Sequence, residues 1–172
     1  MDRKTITRII IVSSIVLLAV LWRFVNTIPN VTPIAAIALF SGAYMGRKWL
    51  ALLIPMAIMF ISDVFIGFHS TMIAVYLSFA LSVWLGYSLN RKPSVLSVFA
   101  SSLGSSILFF IITNFGAWLS NMGGYPMTLV GLTECYIAGI PFFRWEILST
   151  LAFSTVLFGS FELLKKRVPA FV

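Results

Sequence analysis

Pro33-Ile-Ala-Ala-Ile-Ala-Leu-Phe-Ser-Gly-Ala-Tyr-Met-Gly46 is an uninterrupted apolar stretch that ends on Arg47-Lys48, and whether it crosses a membrane decides the topology of the chain. A helix rises about 1.5 Å per residue, so a ~30 Å hydrocarbon core takes about 20 residues. The stretch is shorter than that and could instead be re-entrant. The charges around it separate the two readings, because basic residues near a span hold their loop on the cytoplasmic side. If it crosses and the N-terminus is inside, the clusters Arg3/Lys4/Arg8, Arg47/Lys48, Arg91/Lys92 and Lys165/Lys166/Arg167 all lie inside. Only Arg23 and Arg144 then lie outside. If it does not cross, the clusters at 47–48, 91–92 and 165–167 move outside and the rule fails.

Working outward, the other apolar runs cover about 6–25, 49–67, 72–89, 95–119 and 145–164. The 172 residues are 60% hydrophobic and 10% charged, with a mean hydropathy of +1.03. The expectation is an all-α, polytopic membrane protein: one domain of six transmembrane helices, with both termini cytoplasmic. In bacteria its place is the inner membrane. Trp22, Trp118 and Trp145 fall at outer span ends and Trp49 and Trp84 at inner ends, where an indole prefers the headgroup boundary. The run from Ile6 to Leu21 follows basic residues as a signal peptide would, but no small-x-small cleavage site precedes Trp22-Arg23, so it reads as retained. The net charge of +7 is accounted for by the loop clusters, which would meet anionic lipid and leave no basic face for nucleic acid.

Small residues recur at spacing four on span two (Ala38, Gly42, Gly46) and span four (Ala74, Ser78, Ser82, Gly86), and span five has Ala100/Gly104 beside Ser101/Ser105. Such stripes allow close helix approach, within the bundle or against a partner membrane protein. Pro55, inside span three, should kink it and free a carbonyl that needs another partner.

The polar residues left over gather on the outer side. Asp63 sits near the outer end of span three, and a carboxylate there should face protein or water and have a partner. Arg23 or Arg144 could pair with it, or it could accept from a ligand. Asn114 can cross-bond helices or read a ligand. Asn30, His69, Cys135 and Glu146 are secondary candidates, Cys135 as a small buried thiol or as a ligand or metal contact. The segment 120–144 is long and partly apolar for a connection, and such loops tend to be lids. It reads as an outer cap carrying Tyr125, Glu134 and Tyr136, with Arg144 beside span six. The expected binding site lies beneath it, between the outer ends of spans one, three, five and six. Asp63, Asn114, Glu134 and Arg144 would supply polar contacts there, and Trp118, Tyr125, Tyr136 and Phe142 the walls. Glu162, four residues before Lys166, reads as half of a helix-end ion pair.

No phosphate loop, His-Glu-x-x-His, Gly-x-Ser-x-Gly or cysteine pair is present, so no catalytic residues, metal ligands or cofactor are assigned and the chain cannot hydrolyse ATP. A membrane enzyme built on Asp63, His69, Glu134 and Cys135 is the rival reading, and an assembly subunit a third.

The stretch 30–42, the Pro55…Ser62-Asp63 pair, Thr113-Asn-Phe-Gly-Ala-Trp118 and Gly131-Leu-Thr-Glu-Cys-Tyr-Ile-Ala-Gly-Ile-Pro-Phe-Phe143 resemble an uncharacterised bacterial family of transport proteins related to the S components of energy-coupling-factor (ECF) vitamin transporters. The resemblance covers about 23–162. It implies an S-component-like bundle that captures a small metabolite, such as a vitamin or cofactor precursor, from the outer side. It also implies a partner ATPase and transmembrane coupling module. S components typically carry Ala-x-x-x-Ala on the first helix, which span one lacks.

Overall fold

The computed structural model describes residues 3–45, 48–89 and 93–167, with side chains described from 13 to 165 within them. Among the described residues six helices follow one another: α1 (Arg3–Val25), α2 (Ile34–Tyr44), α3 (Lys48–Ile66), α4 (Met72–Ser88), α5 (Val95–Leu119) and α6 (Leu129–Arg167). No strand occurs among the described residues. Each helix runs through an apolar stretch and stops where turn residues gather. Ser94 and Ser97 form a reciprocal capping box at the start of α5, each side chain accepting the other's backbone N–H at 3.1 and 2.9 Å. Successive helices reverse direction. The connections 26–33, 67–71 and 120–128 therefore share one end of the bundle, here the upper end.

Ile34, Leu39, Ile58 and Val83 form part of a buried apolar core, but small hydroxyl side chains share it and large apolar ones cover the outside. Ser78, Ser82, Ser102, Ser105 and Thr150 are fully buried, whereas Val95, Leu129 and Ile73 are more than four-fifths exposed. The buried hydroxyls bond across helices, Ser82 to Ser105 at 2.6 Å and Ser102 to Ser154 at 2.9 Å. Small polar residues inside and large apolar ones outside is the arrangement that hydrocarbon solvent selects, since lipid rewards no burial of leucine.

α2 stands at the centre, packed against α3, α4, α5 and α6. Nine of its eleven residues are buried. It meets α4 backbone to backbone: a Cβ on Gly42 would collide with the Val83 carbonyl, and one on Gly86 with the Leu39 carbonyl. Gly42 and Gly86 are thus spent on the α2–α4 contact, while Ser82 and Ala74 of the α4 stripe meet Ser105 and Gly116 of α5. Pro55 is buried inside α3, and having no N–H it leaves the Ala51 carbonyl without its helical donor. Ser41 of α2 supplies one, its Oγ donating to the Ala51 oxygen at 2.8 Å.

Among the described residues three helices are long and apolar enough to cross a membrane, Lys48–Ile66, Val95–Leu119 and Leu129–Lys165, and Ser13–Val25 of α1 is a shorter apolar helix. α4, at 17 residues, and α2, at 11, fall short of that length. Six spans are therefore more than helix length alone supports. The basic markers Arg47, Arg91 and Lys92 lie outside the described residues, as do the side chains of Arg3, Lys4, Arg8, Lys166 and Arg167. At the lower end Lys165 bonds Glu162 at 2.9 Å, and the Tyr44 hydroxyl donates to the same carboxylate at 2.5 Å.

One expectation is corrected. The segment 120–144 is not a capping loop: the connection is 120–128, and 129–144 forms the opening turns of α6. Gly131, Gly139, Pro141 and the charges made this stretch look like a loop. The glycines instead seat the helix, Gly131 against the Pro126 carbonyl and Gly139 against the Asn114 side chain. Pro141 is carried within it.

Candidate functional site

α2 is about 16 Å long, against about 25–37 Å for α3, α4 and α5. Its neighbours therefore rise past its start and leave a well above it. Thr32 is tied to α6 there, its N–H donating to Ser149 Oγ and its carbonyl accepting from it, both at 2.9 Å. The well is a cleft of about 370 Å³. Ile34, Thr32 and Val31 form its floor near the head of α2. Met59 and Ile66 of α3, Val75 and Phe79 of α4 and Phe109 of α5 wall it. Its polar lining comes from Arg23, Asn26, Asn30 and His69.

Arg23 is held from behind by α3, whose Asp63 is in turn held by Tyr76 of α4. Its Nη1 donates to Ser62 Oγ at 2.7 Å and to Met59 Sδ at 2.9 Å. Its Nη2 lies 2.9 Å from Asp63 Oδ1, with side chains 17% and 1% exposed respectively. The approach is an ion pair out of hydrogen-bond alignment, so Oδ1 accepts no hydrogen bond. Asp63 Oδ2 accepts from the Tyr76 hydroxyl at 3.0 Å. Both contacts are built by the fold, from three helices.

At the mouth, His69 Nδ1 is 2.9 Å from Thr71 Oγ1. The Asn26 amide donates to the Ile28 carbonyl at 2.6 Å and shapes the turn after α1. Asn30 adopts a left-handed backbone, φ 62°, which asparagine tolerates better than most residues. Its side chain makes no hydrogen bond among the described residues.

The residues singled out from the sequence divide into two groups. Asn30 and His69 line the cleft, and Asp63 stands behind it through Arg23. The others lie along α5, α6 and the connection between them and do not line it. Asn114 donates to the Phe110 carbonyl at 2.8 Å and packs on Gly139. The Cys135 thiol is buried and donates to the Asn114 carbonyl at 3.4 Å, and the Tyr136 hydroxyl donates to the Ile111 carbonyl at 2.8 Å. Trp118 donates to the Pro126 carbonyl at 2.9 Å, while Tyr125 lies over Gly123. Glu134, Phe142 and Arg144 are exposed, the last with its guanidinium 5.2 Å from the Trp145 ring. Glu146 is buried in α6 and accepts from Thr150 at 3.0 Å. Among the described residues no three His, Cys, Asp or Glu side chains gather as a metal would require.

Arg23 is the charged lining residue that sequence reasoning left out of the site, along with the polar Asn26 and Thr32. A signal was present: Arg23 and Arg144 are the two basic residues of the chain that stand outside the four basic clusters.

Fold and site together define an all-helical membrane-type bundle with a solute-sized cleft at one end. The chain belongs to a family of unknown function (DUF6580), whose model matches residues 3–171. No curated protein and no solved structure matches it.

Proposed function

We propose that the protein is a multi-pass membrane protein that binds a small solute in the cleft above α2, as the substrate-capture subunit of a transport system does. The upper end faces outward and both termini face the cytoplasm, the orientation that keeps the basic clusters inside. The cleft carries the reading: about 370 Å³, mostly apolar, with a few polar groups at fixed positions. That is the character of a small-molecule site. The resemblance to ECF S components supports the same assignment and points to a vitamin or cofactor precursor. With no nucleotide-binding motif in the chain, uphill uptake would need a partner ATPase module.

The test is to purify the protein from its native membrane, denature it and identify released small molecules by mass spectrometry. One compound should recur between preparations and raise the melting temperature when added back. Repeated preparations that release nothing, with no candidate solute shifting the melt, would count against binding altogether.

A further inference from the structure

The geometry points to a ligand with an apolar body and one terminal carboxylate, held by Arg23. This rests on the cleft being the binding site and adds the chemistry of what it takes. Arg23 is the one fixed charge among the lining residues, and no carboxylate lines the cleft. Asp63 is not available to a cationic ligand, because it is 1% exposed and its two oxygens face Arg23 and Tyr76.

A guanidinium has five N–H donors. The two on Nη1 are used by Ser62 and Met59. Nη2 approaches Asp63 without alignment, and Nε has no acceptor among the described residues. Nε and Nη2 form the side-on fork of the group, the edge that a carboxylate engages with two parallel hydrogen bonds. Ser62, Met59 and Asp63 fix the guanidinium in place before any ligand arrives. The unbonded Asn30 amide and His69, whose Nδ1 is occupied by Thr71, offer further polar contacts at the rim. An amine in the same place would meet the guanidinium first, with Asp63 buried behind it and out of reach.

The test uses the full chain in detergent with Cys135→Ala, and a reporter thiol at Val31→Cys or, separately, Ile66→Cys. Each thiol is labelled with negatively charged methanethiosulfonate-ethylsulfonate and positively charged methanethiosulfonate-ethyltrimethylammonium. Rates are divided by those with free mercaptoethanol. The anionic reagent should be favoured several-fold, because Arg23 faces the cleft while its counter-charge Asp63 is buried behind it. Phenylpropionate should slow labelling and phenylpropylamine should not. In Arg23→Gln/Asp63→Asn, labelling should persist while both preferences disappear. Equal or reversed preferences, or no protection by phenylpropionate, would overturn the carboxylate assignment while leaving the cleft standing. No labelling at either reporter would remove the cleft as a site.

Discussion

Ser41 Oγ stands 2.8 Å from the Ala51 carbonyl oxygen, the acceptor that Pro55 leaves without a backbone donor. The same hydroxyl lies 2.9 Å from the Ala38 oxygen on its own helix. Ser41→Ala should therefore cost about 1 kcal/mol, within the range for buried hydrogen bonds in membrane bundles. In a Pro55→Ala background the α3 amide is restored, and the same change should cost much less. Unfolding measurements on the four proteins of this cycle decide it, and equal losses in both backgrounds would show that Ser41 does not serve the proline gap.

The Arg23–Asp63 pair sets the second expectation. Asp63→Asn should destabilise by about 3 kcal/mol, because it leaves a largely buried guanidinium without its counter-charge. Arg23→Gln should cost a similar amount by stranding the more deeply buried carboxylate. The double change Arg23→Gln/Asp63→Asn should lie well above either single in melting temperature. Additive losses would mean that the two side chains act independently.

Gly42 and Gly86 leave no room for a methyl group, since each faces carbonyl oxygen of the opposing helix. Either glycine to alanine should cost about 3 kcal/mol, at the upper end of the usual overpacking range. Gly159 has open space around it, and its alanine variant is the control. It should melt like the parent.

Glu146 is 3% exposed and takes a hydrogen bond from Thr150, with no cation in ion-pair contact among the described residues. Glutamine keeps an acceptor for that hydroxyl and removes the ionisable group. Glu146→Gln should leave the melting temperature unchanged or raise it. A loss of several degrees would reveal a partner for the charge.

Orientation is open to a direct measurement. Reporter fusions after 125 and at the C-terminus should report opposite sides of the membrane, with the C-terminal fusion inside. The reverse assignment, or the same side for both, would overturn the six-span topology.

Much of the fold was legible along the chain. Apolar runs bounded by turn residues placed α3 and α5 within a residue of their ends, and Pro55 announced a carbonyl in need of a donor. The stretch before 145 was misread, because its glycines and proline are loop formers in isolation. Here Gly139 exists to admit Asn114 and Gly131 to admit Pro126, contacts that only a packed α5–α6 pair reveals. The site followed the same division. Asn30, His69 and Asp63 were marked as polar groups out of place in an apolar chain. Asn114, Trp118, Cys135 and Tyr136 bond nearby backbone carbonyls instead, and Glu134, Phe142 and Arg144 lie exposed away from the cleft.

By itself, then, the sequence determined an apolar, all-helical chain most of whose basic residues gather in a few short clusters, since composition and period depend only on neighbours along the chain. The tertiary structure decided that the shortest helix stands at the centre, that serines and threonines face inward, and that Arg23 rather than Asp63 meets the cleft. Those outcomes depend on which helix lies beside which, and on a length difference of several residues between them. No local pattern records either.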